Sequence, residues 1–205
     1  MDLGRFFVGR KIVFAIGVFL GVVIIGSGIS AKFFYDKKWK DAEENYKKAD
    51  YQKAAANLKY LPMPSDGARL RIYGQTMMAT NQDNKASIAF EKLSDKTEDP
   101  FAELMLGNIA NQQKEYDKAV EIYEHLTSSN PNYIQAYANL AMVYKIQNRT
   151  DKAVATAKRG IDANPNSTIL HELMVSLTME NKELPEYKNS IEKLKQLDPN
   201  NFLLK

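Results

Sequence analysis

His125 and His171 are the two histidines of this 205-residue chain, and there is no cysteine. Imidazole is the usual general base near neutral pH and a common metal ligand, so these positions come first. His125 follows Glu124 on what reads as the outer part of a helix, where a solvated role is expected. His171 falls on a packing position, where a structural role is expected. No HExxH or EF-hand pattern accompanies either. Gly4 and Gly9, followed by Arg10-Lys11, have the outline of a phosphate loop. That stretch lacks the Gly-Lys-Ser/Thr ending and opens an apolar run, so the backbone cradle for phosphate is not encoded. Acidic pairs such as Glu43-Glu44 stand among lysines on solvated faces. Without thiols there is no cysteine nucleophile, disulfide framework or cysteine-based zinc site. The inventory supplies no nucleophile–base–orienter set. The expectation is a protein without catalysis, metal or cofactor.

Charge narrows the partners. The chain carries 28 basic and 25 acidic residues. Removing Asp2, Arg5, Arg10, Lys11 and Lys32 leaves 24 of each from Asp36 onward. A neutral domain offers no electrostatic footprint to a phosphate backbone, so no nucleic-acid partner is expected.

Ile12 to Ala31 is a run of 20 uncharged residues, twelve of them Ile, Val, Leu or Phe. As a helix it would span about 30 Å, the hydrocarbon thickness of a bilayer. Those twelve favour insertion by about 4–7 kcal/mol before the cost of Gly and Ser. Residues 1–11 form a basic tail before it, and Lys11, Lys32, Phe34, Tyr35 and Trp39 suit the two membrane boundaries. The run reads as a transmembrane helix over 12–31. The rival is a cleaved secretory signal with Ile12 to Ile25 as its apolar region and Gly28-Ile29-Ser30 as its small-residue site. Lysines flank both sides, so orientation is weakly specified. A short basic tail before an apolar run resembles a bacterial signal anchor and favours a repeat domain outside the cytoplasmic membrane, with the cytoplasmic-facing arrangement still open. Gly17 and Gly21 form a GxxxG pair through which two copies could associate.

The remainder is periodic. Asn130-Pro131, Asn164-Pro165 and Asp198-Pro199 recur at intervals of 34 residues, with Asp99-Pro100 before them. Within the intervals, small residues (Gly74, Gly107 and Ala141, then Ala86, Ala119 and Ala153) alternate with large ones (Phe90, Tyr123, Tyr137 and Leu140). Positions 54, 86, 119, 153 and 187 mark a spacing of 32, 33, 34 and 34. Tyr187 departs from the alanine of the earlier units. Small and bulky side chains returning at this period are what paired helices need when each pair nests on the next.

This pattern resembles the tetratricopeptide repeat. The resemblance implies an all-α fold: an N-terminal transmembrane helix, then a right-handed solenoid of about five helix pairs. A degenerate hairpin over 32–61 would continue the anchor without a joint. Repeats would follow over 67–199, at about 67–99, 100–133, 134–167 and 168–199. A tail over 200–205 would fold onto the last pair or serve as a docking point.

In that family the first helices line a concave groove that holds a peptide or a helix. Carried over, the groove would be lined by Arg71, Gln75 and Met78, then Leu104, Asn108 and Asn111. The next units would add Ala138, Asn139, Met142 and Lys145, then Glu172, Ser176 and Met179. The basic clamp by which some members hold a C-terminal carboxylate is broken, since Leu104, Ile169 and Leu173 replace its cations. The function implied is a membrane-tethered scaffold or adaptor that binds proteins and helps assemble a membrane-associated complex. The alternative is a chaperone-like receptor for extended polypeptides.

Overall fold

The computed structural model describes residues 30–204, and among them every regular element is helical. The tail 1–11, the run 12–29, Lys11 and the Gly17/Gly21 pair lie outside the described residues. Among the described residues no helix is long and apolar enough to cross a membrane. The chain divides into two compact units, ending and beginning at Met63 and Pro64.

In the first unit, residues 30–47 form one unbroken helix, α1, so no break falls between 30 and 40. α2 spans Tyr51–Leu58. Between them Ala49 takes a left-handed conformation (φ 56°) and Asp50 N–H donates to Asn45 O at 2.9 Å. The Asp50 carboxylate then caps α2 by accepting from Lys53 N–H, and its pKa is lowered by the Lys53 side chain and backbone hydrogen bonds. Trp39 corrects the sequence reading. Assigned to the membrane boundary, it is instead fully buried. It shares a helical stripe of α1 with buried Ala42, while α2 buries Ala54 and Leu58. Three- and four-residue spacing turned this ring inward, whereas its neighbours Phe33 and Phe34 stay exposed.

The second unit is a row of eight helices: α3 Gly67–Ala79, α4 Asp83–Thr97, α5 Pro100–Gln112, α6 Tyr116–Ser129, α7 Ile134–Ile146, α8 Thr150–Ala163, α9 Thr168–Thr178 and α10 Pro185–Leu197. A 3-10 turn, Phe202–Leu204, follows. The start signals are local. Asp66, Asp99 and Ser167 accept from the first free N–H groups of α3, α5 and α9, and Pro100 and Pro185 open α5 and α10 where no N–H is missed.

The ends of α3, α5 and α7 share one device. Asn81, Lys114 and Asn148 are left-handed, and the next residue's N–H reaches back five positions: Gln82 to Met77 O, Glu115 to Ala110 O and Arg149 to Tyr144 O. This is a Schellman closure, which turns the chain sharply into the second helix of each pair.

Packing inside the pairs follows volume. A Cβ on Gly74 would overlap the Phe90 ring, and one on Gly107 would overlap the Tyr123 ring. In the next pair, Ala141 and Ala157 are both fully buried, and Gly160 instead lies against Tyr137. Each aromatic thus occupies space that a missing side chain leaves open. Ala86, Ala119 and Ala153 are fully buried on α4, α6 and α8. On α10 the corresponding burial passes to Ser190 and Leu194, and Tyr187 is half-buried.

Candidate protein-binding face

Consecutive helices of the second unit touch along the whole row, and α5 also touches α7, as α7 touches α9. No comparable contact joins α4, α6, α8 and α10 to one another. α5, α7 and α9 therefore crowd one side of the row, the inner side of an array that stacks in this way. The sequence-derived groove residues fall into three rows on that side, repeating at i, i+4 and i+7 along α3, α5, α7 and α9.

The first row is largely consumed by structure. Arg71 pairs with Asp99, and its guanidinium stacks 4.1 Å from the Phe101 ring centre. Asp99 is thereby both a helix cap and an ion-pair partner. Leu104 is a correction: it is 6% exposed and belongs to the same apolar cluster as Ala136 and Leu140 of α7, so it packs the core rather than lining a groove. Ala138 is half-buried, and Glu172 accepts from Asn201 Nδ2 at 2.6 Å.

The second row carries Gln75, Asn108, Met142 and Ser176. Asn108 Oδ1 accepts from the Tyr123 hydroxyl at 2.6 Å and from Asn139 Nδ2 at 2.7 Å. A second helix of one pair and a first helix of the next are thus tied through one amide. Burial pushes the Tyr123 phenol up to about 12, against a lowering by the neighbouring Asn139 amide. Asn139 sits one residue off the rows, which is why it can reach Asn108 across the pair boundary. Met142 is exposed.

The third row holds Met78 and Asn111, both half-buried, and Lys145 and Met179, both exposed. Ile146 is also exposed, one turn after Met142 on α7. Sequence reading missed it, although its i+4 spacing from Met142 was the available signal. Exposed among these residues are thus Met142, Ile146 and Met179, beside Lys145.

The histidines lie elsewhere. His125 is exposed beside Glu103. His171 is buried, within 3.3 Å of Ser190 Oγ and 3.1 Å of Pro165 O. Among the described residues no cluster of His, Asp and Glu is arranged to hold a metal. On the outer side, Glu124 accepts from the Tyr144 hydroxyl at 2.9 Å and pairs with Arg159, linking α6, α7 and α8. Burial, then the Glu124 hydrogen bond, raises the Tyr144 phenol; burial, then Asp99, raises that of Tyr133.

Residues 110–177 match the tetratricopeptide repeat family model. No curated protein matches the chain. Among solved structures, the crystal structure of MamA protein is similar at a TM-score of 0.64 and 18% identity, covering 82% of this chain and 96% of that one. A MamA AMB-1 structure aligns at 0.61 and 19%, covering 86% and 96%. A tetratricopeptide repeat protein from Parabacteroides merdae aligns at 0.64 and 16%, covering 83% and 69%. At these identities the likeness is one of fold: an all-helical, tetratricopeptide-like array.

Proposed function

We propose that this chain is a membrane-tethered scaffold, held by residues 12–31, whose second unit binds a protein segment along its first helices. On this reading the repeat domain lies outside a bacterial cytoplasmic membrane and helps assemble a complex there. The observation that carries it is the exposed apolar stripe of Met142, Ile146 and Met179 on the inner side, set beside Lys145 and half-buried amides. Unbranched methionines adapt to varied apolar side chains, and amides bond a peptide backbone. The side chains around the stripe are engaged in caps, ion pairs and packing, which leaves recognition rather than reaction as the work of this face.

The test is co-purification of the full chain from detergent-solubilised membranes, compared with a Met142→Glu/Met179→Glu variant. Two central apolar anchors replaced by charge cost about 1.4 kcal/mol or more, at least tenfold in affinity. Both side chains are exposed, so the melting temperature should stay within a few degrees. One partner lost in the variant supports an adaptor. Loss of weak binding to many unfolded peptides supports the chaperone-like alternative. Undiminished binding by the variant would remove this face from the function.

A further inference from the structure

The first unit has a polarised end. Lys38 Nζ donates to Asn57 Oδ1 at 3.1 Å, so α2 runs back along α1 and carries Lys59 and Tyr60 past the level of Lys38, towards Phe34. Three large rings are exposed there: Phe33 at 72%, Phe34 at 55% and Tyr60 at 83%. Two of them carry an ammonium close by, Lys38 at 5.9 Å from the Phe34 ring centre and Lys59 at 5.0 Å from that of Tyr60. Charge is divided the same way. Residues 30–40 and 57–63 hold five lysines against Asp36 alone, whereas residues 41–56, around the turn, hold three lysines and four acids. The most apolar end of the hairpin is thus also its most basic end.

Water alone suits neither feature, since rings lose free energy by exposure and like charges repel. A phospholipid surface suits both, with aromatic rings at the headgroup level and lysines on the phosphates. Lys32 directly follows the 20-residue uncharged run, so a bilayer around that run would have this end at its boundary.

We propose that the end of the first unit formed by Phe33, Phe34, Lys37, Lys59 and Tyr60 docks on anionic phospholipid headgroups, so that the α1–α2 hairpin is seated on the membrane as a second contact. This rests on the reading that residues 12–31 lie in a bilayer.

The chain has no cysteine, so a Tyr60→Cys variant takes a single environment-sensitive fluorophore. The full-length labelled chain is reconstituted into nanodiscs of phosphatidylcholine alone or with phosphatidylglycerol. A Lys53→Cys variant reports the turn end, where that side chain is 74% exposed. The expected result is a blue shift at position 60 when phosphatidylglycerol is present. It should be reversed by 1 M salt, which shortens screening to about 3 Å, and lost in a Lys37→Glu/Lys59→Glu background. Position 53 should not respond. A chain that stays in the discs with position 60 equally wet in both lipids overturns the docking alone. An equal, salt-insensitive shift in both lipids overturns its anionic character. A chain that never enters the discs overturns the tether and the docking together.

Discussion

Tyr123 shows how much one side chain settles. Its ring fills the volume that Gly107 leaves open, and its hydroxyl reaches Asn108, which in turn holds Asn139 of the following pair. The folded phenol titrates at about 12, whereas an unfolded one titrates near 10. Its stabilising share is complete below about pH 10. It is lost as the pH rises towards 12, because the unfolded chain releases the proton first. The loss reaches roughly 2 kcal/mol, and the raised phenols of Tyr73, Tyr133 and Tyr144 act in the same direction. Tyr123→Phe should therefore flatten the fall in stability between about pH 10 and 12, measured by urea unfolding at several pH values. An unchanged slope would mean that this phenol is not the titrating group. The glycine was legible in the sequence, since a close approach leaves a small residue at a fixed period. The Asn108–Asn139 bond was not, because its partners sit in different repeats and one of them is off the repeating row. Leu104 was misplaced for a related reason: register named the row, but the apolar cluster that takes it in is assembled from α5 to α9.

Among the elements, the turns repeat more strictly than the helices they join. Left-handed residues stand at Ala49, Asn81, Lys114 and Asn148, in step with the alanine markers of the second helices. Asparagine tolerates this conformation, but lysine carries a Cβ penalty of roughly 1 kcal/mol there. Lys114 is exposed and its side chain can be removed without opening a cavity. Lys114→Gly should raise stability by about 0.5–1 kcal/mol, read as a shift in the thermal midpoint. A loss of stability would mean that the lysine stem packs usefully on its neighbours. The breaks between pairs were readable from the recurring Asx-Pro dipeptides. The inward turn of Trp39 was not, because an aromatic beside an apolar run suggests a membrane boundary equally well. What decides is the α1 stripe that faces α2, and that stripe follows from pairing rather than from composition.

At the scale of the second unit, each pair rests mainly on the next, so stability should rise towards the middle. α7 buries six residues, whereas α10 buries only Ser190 and Leu194 and is followed among the described residues by a short 3-10 turn. Amides of α6 and α7 should exchange with deuterium more slowly than those of α10 by at least tenfold, followed by mass spectrometry. Uniform protection would indicate a single all-or-none fold instead. The array itself was legible because periodicity survives in a single sequence. The polarised end of the hairpin emerges only once α1 and α2 are laid side by side.

The direct contact of α5 with α7 and of α7 with α9 has a mechanical meaning. Those three helices form an uninterrupted strip, so a guest lying along it would act as a splint, joining pairs that otherwise depend on their immediate neighbours. Loading the protein would then stiffen the row, and the empty and loaded forms would differ in compliance more than in shape.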